Sequence, residues 1–259
     1  MENTEPTIST SAKHEEHSTH TVHHHTKRSE GKLTTPAAIL LGAAMIAVGI
    51  VAYGFIMQGG QAKSPKTMFV GKTIDPATDY IEGKAKSDVV LVEYSDPECP
   101  FCVQAHPIIK QIRDEYKGKI AFVYRHFPLT QIHSHAFDEA RAISCAGIVG
   151  GQEKYYEYID AFFGYKESHK TTQLTATGKE DIAKTVGLDV NAFLSCMKDT
   201  QAGEKVQASL EDGVQAGVQG TPASFVLVKT RKGYEVISMI DGARPYPFFK
   251  AAIEEALAR

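Results

Sequence analysis

Large apolar side chains are spread unevenly along this chain. Residues 1–35 hold few of them and are rich in Thr, Ser, Glu and His, so this tail buries too little surface to offset chain entropy and is expected to be disordered. The run "PAAILLGAAMIAVGIVAYGFIM" follows, residues 36–57, without a single charge. At 1.5 Å per residue it reaches about 33 Å, which matches the ~30 Å hydrocarbon core of a bilayer. A transmembrane helix is the expectation, with Gly42, Gly49 and Gly54 on a face of small residues that suits helix packing in lipid. A cleaved signal peptide competes, because "GQA" at 60–62 resembles a small-residue cleavage site. That reading fits less well: a secretory apolar region covers only ~7–15 residues after a short basic start. Lys27, Arg28 and Lys32 on one side balance Lys63, Lys66 and Lys72 on the other, so charge leaves the orientation open.

Beyond a linker at 58–73 the pattern becomes that of a globular domain, residues 74–259. "VVLVEYS" (89–95) shows almost no alternation, which suits a strand buried on both faces. A helix follows, with Pro100 in its first turn and Ile108, Ile109, Ile112 and Tyr116 at helical spacing. "KIAFVYRHF" (119–127) reads as a second strand and completes a βαβ unit. Residues 133–217 look helical in several pieces, broken at "GIVGG" (147–151), "TATGK" (175–179) and "GLDV" (187–190). Strands return as the hairpin "ASFVLVKT" (223–230) and "YEVISMID" (234–241), and "YPFFKAAIEEALA" closes the chain as an amphipathic helix. The expected class is therefore α/β, a sheet interrupted by an all-helical insertion at about 130–217, preceded by a single transmembrane helix.

Composition narrows the function classes. The chain has 259 residues, 42% hydrophobic and 23% charged, enough for one sizeable core. A formal net charge of −3 without a dense Lys/Arg block gives no electrostatic footprint for nucleic acid. His14, His17, His20, His23, His24 and His25 in the tail are the type of cluster that chelates zinc, copper or nickel weakly. No surrounding core fixes their geometry, so a solvated tail is the favoured reading and no catalytic role is expected. Four cysteines, Cys99, Cys102, Cys145 and Cys196, permit two pairs in an oxidising compartment.

The stretch "PECPFC" (97–102) joins the first strand to its helix, and it carries the chemistry. A cysteine at a helix N-terminus meets the positive end of the macrodipole and unsatisfied N–H groups, which stabilise thiolate; Cys99 has that place. Cys102 lies one turn deeper on the same face, within reach of a disulfide to Cys99. Cys99 is thus the expected attacking thiol and Cys102 the resolving one. A zinc site competes, since Cys99, Cys102 and His106 share a face. Structural zinc wants four ligands, however, and no second CxxC is present. Two inert core thiols are the other alternative. No metal or organic cofactor is expected.

"VVLVEYSDPECPFC", "VYRHFPL" and "GVQGTPASFVLV" together resemble the DsbA-like branch of the thioredoxin superfamily, membrane-anchored members included, over roughly residues 74–258. The resemblance implies a thioredoxin-like fold with a helical insertion. It implies a buried acid at Glu93 beneath the active site, a helix kink at Pro107, and a cis-proline loop at Thr221-Pro222 facing the cysteines. It also implies that Pro100, Phe101, Thr221 and Pro222 contact substrate and that Cys145 and Cys196 form a second, structural disulfide; two buried free thiols are the alternative there. Glu93 has apolar and aromatic neighbours, so a raised carboxyl pKa and proton exchange with Cys102 are expected. The chain departs from the best-known oxidase at Phe101, where that enzyme has a histidine that helps hold the thiolate. An oxidant of intermediate strength is the consequence. The implied activity is extracytoplasmic thiol-disulfide exchange that introduces disulfides into exported proteins with free thiols. A membrane redox partner would re-oxidise the enzyme, and the anchor would sit in membrane lipid. Reductase or isomerase activity fed by a membrane electron donor is the alternative, and a non-redox peptide-binding chaperone a more distant one.

Overall fold

A computed structural model describes residues 67–69 and 71–259. The His-rich tail and the apolar segment 36–57 lie outside the described residues; among those described, no helix is long and apolar enough to cross a membrane.

Among the described residues, six strands form one mixed sheet: β1 (Thr67–Met68), β2 (Ile81–Gly83), β3 (Val89–Ser95), β4 (Ala121–His126), β5 (Ala223–Thr230) and β6 (Gly233–Asp241). Their order is β1-β6-β5-β3-β4-β2. β3 lies at the centre, parallel to β4 and antiparallel to β5, and all seven of its residues are buried. Burial on both faces is why its sequence lacks alternation. Leu91 belongs to the larger core with α1 and the insertion, while Val90, Val92 and Tyr94 join the core on the opposite face. β2 covers the outer edge of β4 only from Ala121 to Val123, which leaves the Tyr124–His126 end without a strand on that side.

Helix α1 (Pro100–Glu115) begins directly after Cys99 and carries Pro107 inside it. The insertion consists of α2 (Ala136–His169), α3 (Ala176–Thr185), α4 (Val190–Cys196) and α5 (Gln201–Gln215); α6 (Tyr246–Leu257) closes the chain. Cys145 on α2 is joined to Cys196 at the end of α4, with their Cα atoms 5.7 Å apart. Closing so long a loop stabilises by roughly 4 kcal/mol in the chain-entropy model.

Three sequence expectations need correction in detail. The glycines of 147–151 do not end α2. A Cβ at Gly147 would collide with the Tyr80 ring, so that glycine serves close packing, and only Gly151 leaves helical geometry, at φ 74°, where the helix kinks. "TATGK" starts a helix instead of breaking one, because the Thr175 side chain accepts a hydrogen bond from the Gly178 N–H and caps α3. Finally, β1 and β2 have two and three residues, too short for any period to register, and β1 pairs with β6 from within the stretch read as linker.

Candidate active site

The strand-to-helix turn after β3 presents Cys99 as the N-cap of α1, with extended backbone, and Pro100 at the first helical position. Its Sγ lies 3.5 Å from the Thr221 carbonyl oxygen across the cleft, and the Thr221-Pro222 peptide is cis. The Cys99 residue is only 4% exposed, while Phe101 beside it is 58% exposed and forms an apolar rim. Cys102 is fully buried, and the Asp96 N–H points at its Sγ from 3.4 Å. Both cysteines are present as thiols.

The two thiols are driven apart in acidity. A hydrogen bond from Cys102 holds Cys99 down to about 6, helped by the Cys102 and Phe101 N–H groups at the helix start and by Thr221, against the opposing effect of burial. Burial pushes Cys102 well above the ordinary thiol range, and the Cys99 charge adds to it. At neutral pH the arrangement favours one thiolate, on the sulfur nearer the cleft.

Glu93 sits 3% exposed in β3, opposite Tyr124 on one side and Ser224 on the other. Burial raises its carboxyl to about 7, with Ser95 and Arg113 pulling it back. Ser95 lies two residues on, hence on the same face, and its hydroxyl lowers Cys102 and Tyr124 as well as Glu93. Glu93, Ser95, Tyr124 and Cys102 therefore form one buried group beneath the cysteine pair.

The turn itself is pinned to the insertion. Asp96 accepts hydrogen bonds from the N–H groups of Glu98 and Leu129, both at 2.8 Å, and its Oδ2 lies 2.7 Å from His133 Nδ1. Glu98 accepts from the His135 N–H at 2.7 Å and from Gln173 at 2.9 Å. Buried Lys166 donates to the Pro97 carbonyl, to Glu139 and to the Thr172 carbonyl at 2.5–2.7 Å. Losing one partner of a buried pair of this type is costly, so the insertion fixes where Cys99 points.

The structure brings Cys99, Pro100, Phe101, Cys102, Thr221 and Pro222 together, with Glu93 behind them. Cys145 and Cys196 stand apart in the insertion. His106, the third member of the zinc reading, stacks on Phe163 and lies 3.1 Å from Asp160 Oδ1. Among the described residues no group of three or more His, Cys, Asp or Glu side chains is placed to hold a metal. Sequence reasoning missed Ser95, Tyr124, Asp96 and Lys166. Ser95 was readable in principle from the two-residue period that ties it to Glu93; Lys166 gave no signal at 67 positions from Cys99. Two depressions lie at residues next to Cys99, one at Thr221 and one at Pro100. One, about 550 Å³, is lined by Gly220, Thr221, Pro222, Met239 and Asp241; the other, about 370 Å³, by Pro100, Val103, Gln104 and Lys170.

The family model described as thioredoxin matches residues 76–238. The chain belongs to the thioredoxin family. Among solved structures it shares its fold with alpha-DsbA1 of Wolbachia pipientis (TM-score 0.60, 23% identity, covering 72% of this chain and 94% of that one). It is also similar to the thiol-disulfide exchange protein alpha-DsbA2 from the same organism (0.58, 21%, 70% and 88%) and to the catalytic domain of Proteus mirabilis ScsC (0.57, 20%, 72% and 93%). Curated relatives include a Na(+)/H(+) antiporter NhaA 1 of Mycobacterium sp. (strain KMS), 30% identical over 179 residues that make up 68% of this chain and 28% of the antiporter. A second is the NhaA 1 antiporter of Salinispora arenicola (28% over 170 residues, 66% and 25%). The chain spans about a quarter of the length of these relatives.

Proposed function

We propose that this thioredoxin-family protein is a thiol-disulfide oxidoreductase of the extracytoplasmic space, held to the membrane by residues 36–57, that introduces disulfides into exported proteins through Cys99 and Cys102. The observation that carries the reading is the split between the two thiols: Cys99 held down to about 6 at a helix start, Cys102 sealed beneath it and pushed up. A stabilised Cys99 thiolate is a good leaving group, which makes the oxidised pair a ready acceptor of electrons. The Cys145–Cys196 disulfide suits an oxidising compartment.

In the forward reaction a substrate thiolate attacks Cys99 Sγ of the Cys99–Cys102 disulfide. The S–S bond breaks, Cys102 leaves as thiolate and takes a proton from Glu93, and a mixed disulfide joins substrate to Cys99. A second substrate thiolate then attacks the substrate sulfur and expels Cys99 as thiolate. Two electrons have passed from the substrate, now a disulfide, to the enzyme dithiol, and a membrane redox partner removes them. The depressions lined by Thr221, Pro222 and Pro100 offer the surface on which an extended substrate segment lies beside Cys99.

The reduction potential, measured beside an insulin-reduction assay and a reduced-substrate oxidation assay, tests this reading. A value between about −120 and −180 mV with net oxidation of substrate is expected. A value below about −220 mV with insulin reduction would make the protein a reductase. Cys102→Ser is expected to accumulate mixed disulfides at Cys99 and Cys99→Ser to form none; equal trapping by both would overturn the assigned roles.

A further inference from the structure

The end of the domain opposite the cysteines carries a charge that no single stretch of the sequence shows. β3 and β4 run parallel, so the loops that lead into them, 84–88 and 116–120, lie at one end of the sheet; β5 and β6 turn at that same end through 229–233. Cys99 and the Thr221-Pro222 peptide belong to the other end, after β3 and before β5. The first loop brings exposed Lys84 and Lys86, the second Lys117 and Lys119, and the third Lys229, Arg231 and Lys232. Against these positive charges the three loops hold one acid, Asp88, in a chain whose formal net charge is −3.

Hydrogen bonds weld the loops into one surface. The Lys84 N–H donates to the Ile120 carbonyl at 2.9 Å, the Ser87 hydroxyl to the Lys119 carbonyl at 2.8 Å, and the Lys229 N–H to the Asp88 carbonyl at 2.7 Å. Acids that border the loops are engaged elsewhere: Glu82 by Arg113, Asp114 by Lys110, Glu115 by Lys250 and the Tyr246 hydroxyl, Glu235 by Arg259. The three loops expose no large apolar side chain. Protein surfaces ordinarily intersperse the two signs, so a rigid end face of one sign calls for a partner of the other.

The course of the chain favours one partner. Residues 58–66 separate the apolar run 36–57 from β1, and so short a tether spans at most about 30 Å. It enters the domain near the basic end, because Thr67 pairs with Val236, which is closer along β6 to Gly233 than to Asp241.

We propose that this basic end face docks on the anionic phospholipid headgroups of the bilayer that holds the chain, and that docking turns the Cys99 cleft away from the lipid, toward exported proteins. The inference rests on the membrane-held reading given above, and not on thiol exchange. The short tether keeps the face at high local concentration over lipid phosphates, so individually weak ionic contacts suffice. Such a hold is reversible, and salt screens it over about 8 Å at physiological ionic strength. The length of β3 places Cys99 roughly 20 Å from docked lipid, and release lets the same tether bring it to a membrane redox partner.

The test is lysine acylation of the full-length chain in nanodiscs, mapped by mass spectrometry, with phosphatidylcholine alone or with added phosphatidylglycerol. Phosphatidylglycerol at low ionic strength is expected to slow acylation of the six loop lysines about tenfold, with recovery at about 1 M salt, where the screening length falls to about 3 Å. Lys170, beside Pro100 at the cleft end, is expected to keep one rate throughout. Combining Lys84→Gln, Lys86→Gln and Lys232→Gln, all at exposed positions, should erase the slowing at Lys117 and Lys119 and leave oxidation of a soluble substrate unchanged. Equal rates in the two bilayers, slowing that salt does not reverse, or equal slowing of Lys170 would overturn the docking. Slowing by an added oligonucleotide in phosphatidylcholine, with none from phosphatidylglycerol, would also overturn it and assign the face to nucleic acid. If carbonate washing strips the chain from phosphatidylcholine, the anchor falls; docking then stands only if the wild type, and not the triple variant, cosediments with phosphatidylglycerol vesicles. Loop protection in a protein that oxidises no thiol would leave the docking standing and remove the oxidase reading.

Discussion

Two buried charged residues on opposite faces of the central sheet, Arg125 of β4 and Glu93 of β3, are held in opposite ways. On the face toward α5, Arg125 is saturated. It donates to Asp212 at 2.6 Å, and to Asp79, the Tyr94 hydroxyl and the Lys72 carbonyl at 3.1 Å. Asp212 also accepts from the Tyr94 hydroxyl and the Lys72 N–H. α5 can come this close because residue 213 is glycine, where a Cβ would run into Phe127 and Tyr94. On the face toward α1, Glu93 is buried beside Tyr124 and the Ser95 hydroxyl, and the Arg113 charge only partly offsets its burial. Neighbouring residues of one strand, Tyr124 and Arg125, thus belong to a site poised to transfer a proton and to a locked ion cluster. A buried ion cluster holds structure; burial without a directly bonded cation keeps a carboxyl close to neutrality and able to exchange.

The largest expected effect breaks the locked face. Asp212→Ala removes one of the two carboxylates from buried Arg125 and should lower unfolding free energy by about 3–5 kcal/mol in urea titrations. The pH profile of thiol exchange should stay as in the wild type. A shifted profile would mean that the two faces are coupled.

Glu93→Gln sharpens the contrast on the other face and should do the reverse. Glu93 ionises near 4.5 in the unfolded chain but only at about 7 in the fold, so wild-type stability falls as pH rises between those values. Glutamine does not titrate, and its variant lacks that fall. The stability gap in favour of Glu93→Gln should therefore widen by about 3 kcal/mol between about pH 4 and pH 8, while Cys102-dependent turnover drops. A gap that does not change with pH would mean that Glu93 is ionised in the fold like an exposed carboxylate.

Much of this was legible in the sequence because it is local. "VVLVEYS" and "ASFVLVKT" coincide with β3 and β5, since an uninterrupted apolar run of that length has few other uses. The place of Cys99 at a helix start followed from Pro100 and the strand before it. What the sequence did not reveal depends on register. That Tyr124 stands opposite Glu93 follows from how β4 slides beside β3, and a parallel pair joined through a helix carries no local signal of that alignment. The clamp of Lys166 on the Pro97 carbonyl was equally hidden, because it depends on how a 34-residue helix kinked at Gly151 lies across the turn.

Native-state alkylation of the reduced full-length chain with iodoacetamide, read as a function of pH and mapped by mass spectrometry, tests the unequal thiols most directly. Modification at Cys99 alone, with a midpoint at about 6, is the expected result, with Cys102 unmodified across the neutral range. A midpoint near the ordinary thiol value of 9.0, or equal modification of both cysteines, would contradict the account.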